Sequence, residues 1–163
     1  MVFSKIQFPE NLEIVFIDWK IPELNESLKD YAIRMAEVID KSQPFSLLGY
    51  SFGGILVQEI DQLFPSEKLV ILGSIKSDKE KSNFIKAGEL TKIPKIIPEQ
   101  IFSDKVAVAY SFLRKLFDPK NPKVLEYFVM RNPYYLKWSI EQVANWKFDK
   151  NSKSIQVLAD KDI

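Results

Sequence analysis

The stretch Phe45-Ser46-Leu47-Leu48-Gly49-Tyr50-Ser51-Phe52-Gly53-Gly54 constrains the fold more than any other part of the chain. A short apolar run breaks into Gly-x-Ser-x-Gly and passes into the helical spacing of Ile55, Leu56, Ile60, Leu63 and Phe64, which Pro65 ends. The pattern predicts a strand over residues 45–50, a sharp turn with Ser51 at its apex, and a helix after it. Such a turn holds its central residue in a strained backbone conformation. It also brings strand and helix backbones close together, so small residues are needed beside it, and Gly49 and Gly53 are assigned to those positions. Ser51 is then expected at the carboxyl end of its strand with the side chain exposed. The free N–H groups at the start of the helix are placed to stabilise a developing oxyanion. A glycine-rich strand-to-helix turn with no chemistry would carry the same five residues. What favours the nucleophile's seat is the context, a strand before and a helix after.

The rest of the chain reads as alternating elements. Residues 12–19 (Leu-Glu-Ile-Val-Phe-Ile-Asp-Trp) are nearly all apolar, as expected of a strand buried on both faces of a parallel sheet, with Asp18 and Trp19 at its carboxyl end. Asn25 is expected to cap a helix on which Leu28, Tyr31, Ala32, Met35, Ala36, Val38 and Ile39 recur with a period near 3.6. Residues 69–72 and 155–158 read as further strands, and Val2, Phe3, Ile6 and Phe8 predict a short helix within residues 1–9. Strands and helices in quick alternation mean βαβ units and a parallel sheet, so the fold class is α/β. Between Ser77 and Lys150 the character changes to helices separated by prolines. Asn121-Pro122 and Asn132-Pro133 each supply an N-cap followed by proline at the first helical position. We therefore expect a single domain over residues 1–163, with its core in 1–76 and 151–163 and an inserted helical layer at about 77–150. The aromatics of that layer, Phe112, Phe117, Tyr127, Phe128, Tyr134, Tyr135, Trp138 and Trp146, either pack it onto the body or line an apolar cleft. Packing is the more frequent use.

Composition narrows the chemistry. Lys plus Arg number 23 and Asp plus Glu 22, and a net charge of +1 offers no field for holding nucleic acid or an anionic membrane. No apolar run approaches membrane-spanning length, and residues 1–10 lack the apolar core of a signal peptide. A cytoplasmic protein is expected, with no membrane span and no nucleic-acid partner. The absence of Cys excludes disulfides, thiolate metal sites and a cysteine nucleophile. The absence of His matters more, because His is the usual base for a serine nucleophile and a frequent metal ligand. No metal and no cofactor are expected.

Acyl transfer by a serine requires a base within hydrogen-bond reach, an acid that orients the base, and oxyanion donors. Ser51 fits the nucleophile, the backbone N–H of Phe52 fits one oxyanion donor, and a carboxylate after the last strand fits the acid. Lysine serves as the base in some serine hydrolases, but nothing in the spacing sets a lysine against Ser51.

On these residues the chain resembles the α/β-hydrolase superfamily, in particular its small bacterial members with a helical lid. Gly49-Tyr50-Ser51-Phe52-Gly53-Gly54 matches the family's nucleophile elbow, and the block at 77–150 sits where the family inserts its lid. Residues 155–162 match the strand and loop that carry the catalytic acid. In many relatives that loop reads His-Gly-x-x-Asp; here Leu158 and Ala159 stand at the His-Gly positions and Asp162 at the acid. Asp160 is the second choice, and Asp78, after the preceding strand, the third. The resemblance implies hydrolysis of a carboxylic ester or thioester of a small-molecule acyl substrate through an acyl-enzyme. It also implies that Asp162 shares the sheet edge with Ser51 at a distance that leaves room for an imidazole. The family's catalytic His would lie beyond Ile163 and its other oxyanion loop before Met1. The chain is therefore expected to be a fragment of such an enzyme, not turning over esters as it stands. Alternatives are a non-catalytic scaffold or binding protein of the same fold, and a nucleotide-binding domain, for which Gly-x-x-x-x-Gly-Lys and Gly-x-Gly-x-x-Gly are both missing. In the family's strand order another strand separates residues 12–19 from the elbow strand. Kept intact, that geometry would leave a slot roughly 10 Å wide with unpaired backbone groups on two edges. The chain is therefore expected either to close it by pairing the two strands directly or to be poorly stable and aggregate through its open edges.

Overall fold

The computed structural model describes residues 3, 6–81, 86, 98–99, 130, 132–148 and 153–158. Three strands, β1 (Ser46–Tyr50), β2 (Lys68–Leu72) and β3 (Ile155–Val157), form one parallel sheet in the order β1-β2-β3. Ser46 pairs with Lys68 and Tyr50 with Leu72, and Val70 pairs with Ile155. Parallel neighbours cannot be joined by a tight turn. The connection from β1 to β2 is the helix α2 (Phe52–Leu63). It packs on both strands, and the helix α1 (Leu28–Met35) packs on α2 in turn.

Alternation along the strands sorts the residues onto two faces. Leu47, Leu69 and Ile71 are buried on the face beneath α2, together with Ile55, Leu56 and Ile60 from the helix. Tyr31, Met35, Ile60 and Ile71 are each less than 2% exposed and form its centre. On the opposite face Leu48, Val70 and Leu72 are half-buried, while Tyr50, Ile155 and Val157 are 45%, 56% and 50% exposed.

The cap of α1 is Ser27, whose Oγ accepts the Asp30 N–H at 3.1 Å. Asn25, expected there, instead takes a left-handed conformation with φ 60°, which Asn tolerates in turns. After Met35 the helix tightens into a 3₁₀ turn, Ala36–Val38, and the change of period turns Val38 to solvent. The Asn132-Pro133 signal is obeyed: Asn132 Oδ1 accepts the Tyr135 N–H at 3.1 Å at the start of α3 (Pro133–Asn145). Asn121 and Pro122 lie outside the described residues.

Residues 12–19 are not a strand. Leu12, Val15 and Phe16 are 52%, 60% and 51% exposed, and only Ile17 and Trp19 pack against the core. A strand exists by pairing, and no strand among the described residues lies alongside this run. Direct pairing with β1 is absent, and among the described residues the apolar run has stayed unpaired. Of the short helix expected in residues 1–9, Phe3 stands in a 3₁₀ turn that the Ile6 N–H closes on the Phe3 carbonyl at 3.1 Å, and residues 6–9 are not helical.

Of the expected inserted layer, α3 packs on α2, with Tyr135 and Trp138 buried. Beyond it Trp146 and Phe148 stack at 5.2 Å against the core, and Trp146 Nε1 donates to Glu59 at 2.7 Å. These aromatics fix the segment to the body. Phe112, Phe117, Tyr127 and Phe128 lie outside the described residues. Next to β3, Lys153 lies 3.0 Å from Asp61 on α2. Burial pushes the Asp61 carboxyl up, but the Ser66 hydroxyl and N–H and the Lys153 ammonium outweigh it and hold the group below its ordinary value. Among the described residues no helix is long and apolar enough to cross a membrane.

Candidate functional site

The chain leaves β1 at its carboxyl end and turns into α2 through a single residue, Ser51. Its backbone has φ 53° and ψ −120°, a region that residues with a side chain seldom enter, at a cost of about 1–3 kcal/mol. The surroundings hold it there. The Ser51 N–H donates to the Leu72 carbonyl at 3.0 Å, and the Gly54 N–H closes onto the Ser51 carbonyl at 2.9 Å. The Gln58 side chain, fully buried, donates to both the Gly54 and Ile75 carbonyls at 2.9 Å and so ties the first turn of α2 to the exit of β2.

Close approach decides where glycine is needed. A Cβ on Gly49 would run into the Gly53 backbone and lie 2.7 Å from the Gly54 nitrogen. One on Gly54 would run into the Ser74 side chain and lie 3.3 Å from Ile71 Cβ. At Gly53 a Cβ would only touch the Trp19 ring, at 3.8 and 3.9 Å. The two tight positions are therefore Gly49 and Gly54, not Gly49 and Gly53 as the sequence pattern suggests.

Ser51 is exposed, and its hydroxyl is not used to cap the helix. Directly after it come the N–H groups of Phe52 and Gly53, which as first-turn donors have no intrahelical acceptor. No other backbone carbonyl among the described residues takes them. The positive end of the α2 dipole points the same way. An exposed hydroxyl and two backbone N–H donors without a backbone acceptor among the described residues thus meet at one sheet edge.

Trp19 comes to this edge from the other side. Its ring stacks on Phe52 with centroids 5.6 Å apart and planes 18° from parallel, and Tyr135 tilts against it at 5.6 Å. Phe52 in turn meets Trp138 edge-on at 5.9 Å. The loop that follows Trp19 is held by its carbonyl oxygens. Tyr31 Oη donates to Lys20 at 2.8 Å, Arg34 to Ile21 at 3.1 Å, Tyr134 Oη to Glu23 at 3.0 Å and Trp138 Nε1 to Glu26 at 2.8 Å. Arg34 also grips both Glu26 carboxylate oxygens, at 2.8 and 2.6 Å, and the guanidinium holds that carboxyl below its usual range. Burial pushes the Tyr31 hydroxyl up to about 12.

The carboxylates are less complete. Because β3 runs parallel to β1, it ends at the same edge as Ser51. Asp162 and Asp160, which follow it, lie outside the described residues. Asp78, half-buried in the 3₁₀ turn Asp78–Glu80 after β2, leaves from that edge too. No imidazole exists anywhere in the 163 residues. Among the described residues no cluster of His, Cys, Asp and Glu is arranged to hold a metal ion. The structure thus sets Ser51 and the Phe52 N–H at the carboxyl end of β1. It adds Trp19, Gly54 and Ser74; Trp19 marked the end of an apolar run and Gly54 stood in the glycine-rich turn, whereas no local pattern pointed to Ser74. Comparison with protein-family models, curated proteins and solved structures finds no match to the chain.

Proposed function

We propose that Ser51 is the acyl-accepting nucleophile of a serine hydrolase site acting on a carboxylic ester or thioester of a small molecule. The observation that carries this reading is the strained Ser51 backbone, kept at the cost of folding energy, with its hydroxyl exposed beside the free N–H groups of α2. Ser51 Oγ would add to the carbonyl carbon while its proton passes to a base. The resulting oxyanion would rest on the Phe52 N–H, and the leaving alcohol or thiol would depart with a proton. Water then cleaves the acyl-enzyme in the reverse sense. In this scheme the carboxylate that orients the base is Asp162. The base is the group the 163 residues lack, and its loss from such a site costs on the order of 10⁴ to 10⁶ in kcat. The same absence supports a second reading, a scaffold that retains the turn and binds an acyl compound without turnover.

Imidazole added to the solution supplies the missing base. On p-nitrophenyl acetate, the chain alone should match the Ser51→Ala background. With imidazole present it should exceed Ser51→Ala under the same conditions, with a release of p-nitrophenol that depends on Ser51. Equal rates for the two proteins at every imidazole concentration would defeat the nucleophile reading and leave the scaffold.

A further inference from the structure

Among the described residues the sheet stops at β1 on one side. The Phe45 carbonyl and the Ser51 N–H, at the two ends of the strand, both bond on the β2 side. Alternate residues of a strand direct their backbone groups to alternate sides, so Leu47 and Gly49 share that side, and Ser46, Leu48 and Tyr50 turn theirs outward. No backbone group among the described residues takes them. Such an edge is met best by an extended peptide, whose own N–H and C=O groups recur at the same spacing. The chain carries a peptide of that kind. Residues 12–16 are apolar except for Glu13, exposed, as long as β1, and unpaired among the described residues. Ile17 and Trp19 hold the end of this run on the core, which leaves the residues before them to pair elsewhere.

We propose that residues 12–16 of one copy add as a strand to the outer edge of β1 in a second copy, and the reverse, closing two chains into a dimer. Each chain offers one run and one edge. Exchanged about a two-fold axis they satisfy each other and leave neither for a third copy. Alternation puts Leu12, Ile14 and Phe16 on one face of the added strand, where they extend the half-buried apolar face of Leu48 and Leu72. The exposed half of Phe16 alone brings about 100 Å² to the contact. With Leu12, Ile14 and Val15, counted over both runs and the edges they cover, the total is on the order of 1,200 Å², the low end for a specific interface. A net charge of +1 sets no repulsion between copies. Ordering two exposed runs offsets part of the gain, so the dimer is weak. In dilute protein the run is free, and pairing appears at on the order of 100 µM. The proposal is independent of the reading of Ser51.

Sedimentation equilibrium on the 163-residue chain tests the proposal. The mass should rise from one chain to two between about 5 and about 500 µM, and go no further. Val15→Pro removes an N–H from the run, and Phe16→Lys puts a charge into it. Both positions are exposed in the single chain, so each variant should melt like the native protein when dilute. Each should weaken the dimer by about tenfold or more. The chain has no Cys, so single cysteines report the contact without background. In an equimolar mixture of Val15→Cys and Ser46→Cys chains, a bismaleimide linker should join position 15 of one chain to position 46 of the other, in preference to either like pair. A chain that stays single over the whole range, a dimer untouched by both variants, or growth beyond two chains would overturn the proposal. So would a predominance of links between two positions 15, which would set the runs against each other instead of against β1.

Discussion

Residues 12–19 and 45–50 are nearly interchangeable as apolar runs, yet one is the first strand of a sheet and the other is exposed chain. The difference is in what lies beside them. β1 has β2 along its whole length, and its exit is fastened by the Ser51 and Gly54 hydrogen bonds and by the Gln58 strut. Residues 12–16 are exposed and pair with no strand among the described residues, and only at Ile17 and Trp19 does the run reach the core. What comes after Trp19 is held firmly again, because α1 and α3 take the carbonyls of the loop. Apolar composition supplies the capacity for a strand; a partner converts it into one.

The largest expected effect sharpens that contrast. Gly49→Val drives a side chain into the backbone of α2, which cannot shift like a flexible side chain, and should cost about 3 kcal/mol or more in a denaturant melt. Phe16→Ala, which removes a larger apolar group from the other run, should change stability by no more than about 0.5 kcal/mol. Comparable losses in the two variants would mean that residues 12–16 are buried after all.

A second test concerns the clamp that separates the loose start of the run from its fixed end. Tyr31 ionises near 12 in the folded chain against 10.0 for the free group, chiefly through burial, and Tyr135 is raised as well. A raised value means stability that is complete below pH 10 and is lost as the pH climbs toward 12, since the unfolded chain releases these protons first. Both should titrate above the ordinary tyrosine range in the ultraviolet, and the Trp19 fluorescence should change as they ionise. Early titration of Tyr31, with the fold intact, would show the clamp to be open.

A smaller effect is expected at the apex. Ser51→Gly relieves a backbone conformation that glycine adopts freely, and the gain of strain energy outweighs the entropy that glycine loses on folding. The melt should rise by about 1 kcal/mol or somewhat less, while Ser51→Ala should leave it unchanged. A loss of stability in Ser51→Gly would mean that the turn is not strained.

The contrast also explains what could be read from the sequence. The elbow was legible because its signals are local: a strand-like run, a glycine-flanked serine, and a change of period within a few residues. Asn132-Pro133 was legible for the same reason. Residues 12–19 misled because pairing is not a local property. The choice of Gly53 over Gly54 failed similarly, since the crowding at Gly54 comes from Ser74 at the exit of the next strand. Asn25 carried two compatible meanings, a cap and a left-handed turn, and the nearby Ser27 took the cap. At the site, Ser51 and the Phe52 N–H followed from the motif, whereas the stacking of Trp19 on Phe52 depends on a loop fixed by residues from two distant helices.

Native-state hydrogen exchange tests the central contrast most directly, because it reads both runs in one protein without mutation. The ladder amides of β1 and β2, and the Ser51 amide bonded to Leu72, should be protected at close to the global stability. The amides of residues 13–16 should exchange at nearly the rate of an unfolded chain. Protection of residues 13–16 equal to that of β1 would contradict this, and would mean that the run is paired as a strand.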